Sequence, residues 1–134
     1  MINKLKFIIV DDDLFSNMLS KRIIKKATGI TEATTFNIPE EGLSYIQNEP
    51  RDSFGSTILL LDINMPSISG WEFLELFESF GDEIKPAINI YMLTSSINQY
   101  DKDKADANKY VKGFISKPLD SETVDAITAR TPIV

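Results

Sequence analysis

The sequence has 134 residues, enough for one domain around one core, and its 43% hydrophobic and 25% charged residues are ordinary for a globular chain. Fourteen Lys and Arg against twenty Asp and Glu leave a net charge of −6, which argues against the basic footprint that nonspecific nucleic-acid binding needs. The absence of Cys and His excludes disulfides, thiol catalysis, Cys-based zinc sites, imidazole acid–base chemistry and any phosphohistidine within the chain.

Strand-like and helix-like patterns then alternate along the chain. Residues 4–10 carry the apolar run Phe7-Ile8-Ile9-Val10, which is too short for a signal-peptide core. Residues 14–27 place Phe15, Leu19 and Ile23 at helical spacing with Met18 beside them, and Gly29 follows as a helix stop. A short strand is expected over residues 30–36, and Asn37 and Pro39 lead into a helix over residues 39–47. Residues 51–56 read as a loop before the strand Ile58-Leu59-Leu60-Leu61. Residues 70–80 set Phe73, Leu74, Phe77 and Phe80 on one face and Glu72, Glu75 and Glu78 on another, which predicts an amphipathic helix. A strand over residues 88–94, a polar helix over 99–110 and a strand over 113–116 follow. Asp120 or Ser121 caps a last helix over residues 121–129.

Five strands alternating with five helices imply an α/β fold, a doubly wound parallel sheet covered on both faces. No linker or repeat divides the sequence, so one domain over residues 1–134 is expected, ending at Pro132-Ile133-Val134 with no output domain after it. No apolar stretch approaches a membrane span, so a cytoplasmic location without membrane insertion is the expectation.

Chemistry gathers at the strand ends. Asp11, Asp12 and Asp13 stand directly after the first apolar run, and Asp62 directly after the third strand. Asp is depleted in strands and favours turns, so either group alone reads as turn residues. Together, on parallel strands in a doubly wound sheet, they converge at the carboxyl edge near the topological switch point. Carboxylates held close repel and raise one another's pKa until a proton or cation intervenes, and Mg²⁺ suits one or two carboxylates with waters and a phosphate. The fourth strand ends in Thr94, Ser95 and Ser96, and the fifth in Lys117-Pro118.

The segments Val10-Asp11-Asp12-Asp13, Leu60-Leu61-Asp62-Ile63-Asn64-Met65-Pro66 with Gly70, Met92-Leu93-Thr94-Ser95 and Gly113-Phe114-Ile115-Ser116-Lys117-Pro118 jointly resemble the response-regulator receiver domain of two-component phosphorelay signalling. The resemblance covers essentially the whole chain and implies a flavodoxin-like sheet of strand order 2-1-3-4-5. It implies that Asp62 is the phosphoryl acceptor, taking the group from a phosphohistidine on a sensor histidine kinase or histidine phosphotransfer protein. Asp12, Asp62 and the backbone carbonyl of Asn64 then ligate Mg²⁺, with Asp11 acting through a metal-bound water. By the same resemblance, the Asn64 side chain tunes the lifetime of the phosphoryl group. Lys117 and Thr94 contact phosphoryl oxygens, Phe114 holds the aromatic switch position, Ser95 lines the entrance, and Lys117–Pro118 is a cis peptide. Asp13 is expected to cap the first helix instead of binding metal. Gly42 stands where the family often has Ala, which weakens that helix by about 1 kcal/mol.

The implied function is a phosphoacceptor switch, a signalling module that assists its own phosphorylation and dephosphorylation and no other reaction. Its read-out surface is the fourth helix, fifth strand and last helix, facing an unidentified effector, in a monomer or weak homodimer. A haloacid-dehalogenase-like phosphatase also uses an Asp after an apolar strand with Mg²⁺. It needs a second acid two residues on, where this chain has Asn64. A phosphorylation-independent interaction module is the other alternative; such domains usually lose the acid pocket, the acceptor or the lysine, and this sequence keeps all of them.

Overall fold

Buried parallel strands need continuous apolar runs, and those runs form the sheet. The computed structural model describes residues 5–49 and 56–131. In chain order these form β1 (Leu5–Val10), α1 (Leu14–Thr28), β2 (Thr34–Phe36), α2 (Pro39–Asn48), β3 (Ser56–Asp62), α3 (Gly70–Glu78), β4 (Ile88–Thr94), α4 (Gln99–Ala107), β5 (Val111–Ser116) and α5 (Ser121–Arg130). Among the described residues the five strands pair in parallel in the order β2-β1-β3-β4-β5, the flavodoxin-like order. The expected loop over 51–56, apart from Ser56, and the Pro132-Ile133-Val134 end lie outside the described residues.

Alternation along each strand divides the core between the two faces. Ile8, Val10, Leu59, Leu61, Ile90 and Met92 pack with Leu43 and Ile46 of α2 and Phe73, Leu74 and Phe77 of α3. Phe7, Ile9, Ile58, Leu60, Tyr91 and Leu93 face the other way, against Ile24 of α1 and Val124 and Ile127 of α5. The central strand β3 is buried along its whole length, which is why it reads as an unbroken apolar run.

Helix ends follow local chemistry. Asp13 caps α1, its Oδ1 accepting the Phe15 and Ser16 amides at 2.9 and 3.2 Å, and Gly29 closes it at φ 80°. Ser69 and Glu72 form a reciprocal capping box on α3. Asp120, not Ser121, caps α5 by accepting the Thr123 amide. The fourth helix stops at Ala107, short of residue 110, because the Asn108 side chain accepts the Tyr110 amide at 2.8 Å and turns the chain into β5. At Gly42 an added Cβ would lie 3.0 Å from Val10 Cγ2, so the glycine lets α2 sit close against β1.

The helical spacing of Phe15, Leu19 and Ile23 forms α1, but it does not mark the buried face: Phe15 is 61% exposed, with Met18 and Leu14 exposed beside it. The inward residues are Asn17, Ser20 and Ile24. A buried hydrogen bond from Asn17 Nδ2 to the Asp11 carbonyl, 2.8 Å, goes with this helix rotation.

Candidate functional site

Register brings the acids together. Val10 pairs with Leu61, so the residues that follow, Asp11 and Asp62, emerge side by side at the carboxyl edge of the sheet. Asp11 and Asp62 are buried, whereas Asp12 is exposed at the mouth. One carboxylate oxygen from each of Asp11, Asp12 and Asp62 lies within 4.8 Å of the others.

Lys117 arrives from the end of β5. Its amide donates to the Thr94 carbonyl at 2.8 Å, and its Nζ lies 2.7 Å from Asp11 Oδ2 and 3.3 Å from Asp62 Oδ1. The Lys117–Pro118 bond is cis. Asp11 is engaged on both oxygens, since Oδ1 accepts the Asp13 amide and Oδ2 also accepts the Ser16 hydroxyl at 2.8 Å. Burial pushes the Asp62 carboxyl up to about 7, the Asp11 charge adds to the rise, and the Lys117 ammonium opposes both. Its carboxylate partners, after the burial that opposes its charge, hold the Lys117 ammonium above its ordinary value.

The remaining expected residues ring this centre. Thr94 is fully buried and closed on its own turn: its hydroxyl donates to the Ser96 carbonyl at 2.9 Å and accepts the Ser96 amide at 3.1 Å. Ser95 and Asn64 are exposed on the turns after β4 and β3. Phe114 is half-buried on the sheet face shared with α3. Asp13 is committed to its helix cap.

Sequence reasoning passed over Ser16, Asn17 and Trp71, and it noted Gly70 only as part of the family motif. Ser16 and Asn17 hold Asp11 from the first turn of α1, and nothing in a helical pattern marks polar residues for that task. Gly70 is needed because an added Cβ would stand 2.6 Å from the Asp62 carbonyl oxygen and 2.9 Å from Met92 Cε. Trp71 donates from Nε1 to Asp101 Oδ1 at 3.0 Å, tying α3 to α4. The Ser69-x-x-Glu72 capping box was readable; the Trp71–Asp101 bond spans 30 residues and was not.

The acid cluster is an all-oxygen donor set whose inner carboxyl resists ionisation, and this fits a hard divalent cation. The sequence matches the response regulator receiver domain model over residues 7–129. The chain belongs to that family. Receiver domains are signalling phosphoacceptors with a Mg²⁺-binding acidic pocket and are generally not classed as enzymes. The receiver is similar to a response regulator receiver protein from Dyadobacter fermentans, 27% identical, with a TM-score of 0.87 over 95% of this chain and 97% of that one. It is also similar to a two component response regulator from Cytophaga hutchinsonii, 25% identical, with a TM-score of 0.82 over 96% and 97%. The chemotaxis protein CheY4 of Vibrio cholerae, 24% identical, shares the fold at a TM-score of 0.74 over 96% and 98%. No curated protein sequence matches closely enough to count as a relative. Among the described residues, no helix is long and apolar enough to cross a membrane.

Proposed function

We propose that this receiver is a cytoplasmic phosphorylation switch in which Asp62 takes a phosphoryl group from a phosphohistidine on a histidine kinase or histidine phosphotransfer protein. The observation that carries the reading is the triad of Lys117, Asp11 and Asp62, with Lys117 Nζ within 3.3 Å of both carboxylates at the carboxyl edge of the sheet. An ionised Asp62 oxygen attacks phosphorus, the bond to the donor's imidazole nitrogen breaks, and the product is an acyl phosphate. Lys117 is placed to follow the new negative charge onto a phosphoryl oxygen, and the Thr94 hydroxyl to donate to another. Ser16 and the Asp13 amide hold Asp11 still while Lys117 moves.

Asp12, Asp62 and the Asn64 carbonyl would hold Mg²⁺, with Asp11 acting through water. When bound, the cation offsets the repulsion between the acids and the incoming phosphoryl oxygens. The exposed Asn64 side chain faces hydrolysis of the acyl phosphate and sets its lifetime. The exposed apolar residues Leu14, Phe15 and Met18 follow Asp11, Asp12 and Asp13 closely in the chain and supply the surface on which the phosphohistidine partner seats. The read-out runs through α4, β5 and α5, where Phe114 fills the space that Thr94 leaves.

Phosphorylation by a small-molecule phosphodonor with Mg²⁺, followed by intact mass, tests the reading. One added phosphoryl group is expected, absent in Asp62→Asn, and Asp12→Ala is expected to react more slowly than Asp13→Ala. Labelling of Asp62→Asn at the wild-type level overturns the assignment.

A further inference from the structure

A second concave site lies at the opposite end of the sheet from Asp62. It encloses about 340 Å³, with Lys85, Pro86 and Ile88 on the side leading into β4 and Lys109, Tyr110 and Lys112 on the side leading into β5. The length of β4 separates it from Thr94 by roughly 20 Å at the rise of an extended strand.

Its walls are fixed by the fold. The Asn108 side chain holds the Tyr110 amide at 2.8 Å, and the Tyr110 ring stands edge-on to Phe77 at 5.6 Å and 86°. Lys112 is the extra residue of a bulge: Val111 pairs with Ile90 and Gly113 with Tyr91, so Lys112 has no partner across the ladder. Bulges re-aim side chains in this way. The Lys85 side chain is only 13% exposed, and its ammonium donates to the Glu78 carbonyl at 2.8 Å.

Charge is out of balance here. Asp82 pairs with Lys85 at 3.4 Å, but among the described residues no carboxylate lies within ion-pair reach of Lys109 or Lys112. The Lys85 and Lys109 ammoniums lie 5.6 and 5.2 Å from the Tyr110 ring centre, and a ring face compensates a cation only weakly. A chain with net charge −6 has acids to spare, yet three ammoniums meet one carboxylate in this cleft. Lys109 and Lys112 are exposed, and the Tyr110 ring beside Lys109, the bulge at Lys112 and the concavity between them set them apart from isolated surface lysines.

We propose that this cleft binds a small phosphate monoester with a flat apolar body. The two uncompensated ammoniums match the near-dianionic charge of a monoester at neutral pH. The Tyr110, Pro86 and Ile88 walls take the organic part, and the volume falls in the range of small-ligand sites, larger than inorganic phosphate fills.

Titration of the full chain in Mg²⁺-free buffer with phenyl phosphate and, separately, inorganic phosphate tests the site, read by calorimetry and amide NMR. Phenyl phosphate is expected to bind saturably and at least tenfold tighter than inorganic phosphate, shifting Ile88 and residues 109–112. The double change Lys109→Glu and Lys112→Glu is expected to lose at least tenfold in affinity. Lys25→Glu with Lys26→Glu, the same change of net charge on exposed α1 positions, is expected to keep it, as is Asp62→Asn. Equal affinity for the two phosphates overturns the proposal. So does retention by the Lys109/Lys112 variant, or equal loss in the Lys25/Lys26 or Asp62 variants.

Discussion

The Thr94 hydroxyl donates to the Ser96 carbonyl and accepts the Ser96 amide, so in this state the side chain is spent on its own turn. To reach a phosphoryl oxygen on Asp62 it must release the Ser96 carbonyl. Ser96 lies two residues before Asn98, the cap of α4. That helix buries only Asp101 and Ala105, so little apolar area holds it in place.

Thr94→Ala is therefore expected to uncouple the two ends of this path. Losing the turn bonds should cost about 1 kcal/mol in chemical denaturation. Asp62 should still accept a phosphoryl group in the variant. The single tryptophan, Trp71, is hydrogen-bonded to Asp101 on α4 and reports that helix. Beryllofluoride is expected to change Trp71 fluorescence in the wild type and not in Thr94→Ala; equal changes in both would remove Thr94 from the path.

Asp62, the proposed acceptor, also sets a pH dependence. Asp62 titrates near 7 when folded, against an ordinary value of 3.8, so the folded state holds a proton that the unfolded chain releases between those values. Stability falls wherever the native state binds more protons than the unfolded one, so it should decline as pH rises from about 4 to about 7 in chelator-treated buffer. At pH 8 Asp62→Asn is expected to exceed the wild type by on the order of 2–3 kcal/mol, with the gap closing below pH 4. Added Mg²⁺ should narrow the gap at pH 8 by stabilising the wild type. Urea unfolding across pH with both proteins measures it, and a wild type whose stability rises over that window contradicts the account.

Gly70 tests how tightly the loop after Asp62 is built. Its amide donates to the Ile63 carbonyl at 2.8 Å, and an added Cβ would meet the Asp62 carbonyl oxygen at 2.6 Å, a backbone atom that cannot rotate away. Gly70→Ala is expected to cost about 1–3 kcal/mol and to slow phosphodonor labelling of Asp62. Gly42→Ala meets side chains and no backbone atom, Val10 Cγ2 at 3.0 Å and the Phe36 ring at 3.6 Å, and should cost less. The order of the two midpoints in denaturation checks the argument.

The sheet was legible because strands buried on both faces must be continuously apolar, and an Asp directly after Ile9-Val10 or Leu60-Leu61 stands out against that background. The caps at Asp13 and Asp120 were readable for a similar reason, since the bond is made within three residues. The inward face of α1 was not. Apolar spacing assumes that apolar residues turn inward, while here Asn17 does so to bind the Asp11 carbonyl and leaves Phe15 in solvent. The approach of Lys117 Nζ to Asp11 depends on strands far apart in sequence, so spacing could not show it, and the family resemblance implied for Lys117 only a contact to a phosphoryl oxygen.

That exposed face of α1 yields the last prediction. Phe15 and Met18 are 61% and 50% exposed, and they follow the acids by only a few residues. A phosphohistidine donor must cover the mouth of the pocket, and covering this patch buries apolar area that a small phosphodonor never touches. Neither side chain supports the core, so Phe15→Asp and Met18→Asp should leave the denaturation midpoint within about 0.5 kcal/mol of wild type. Labelling by a small-molecule phosphodonor should also be unchanged. Transfer from a phosphorylated histidine phosphotransfer protein should fall by about tenfold or more, equivalent to ~1.4 kcal/mol of lost docking energy. Parallel time courses with the two donors separate the effects. Equal rates from the protein donor in the wild type and both variants would move the docking surface away from α1.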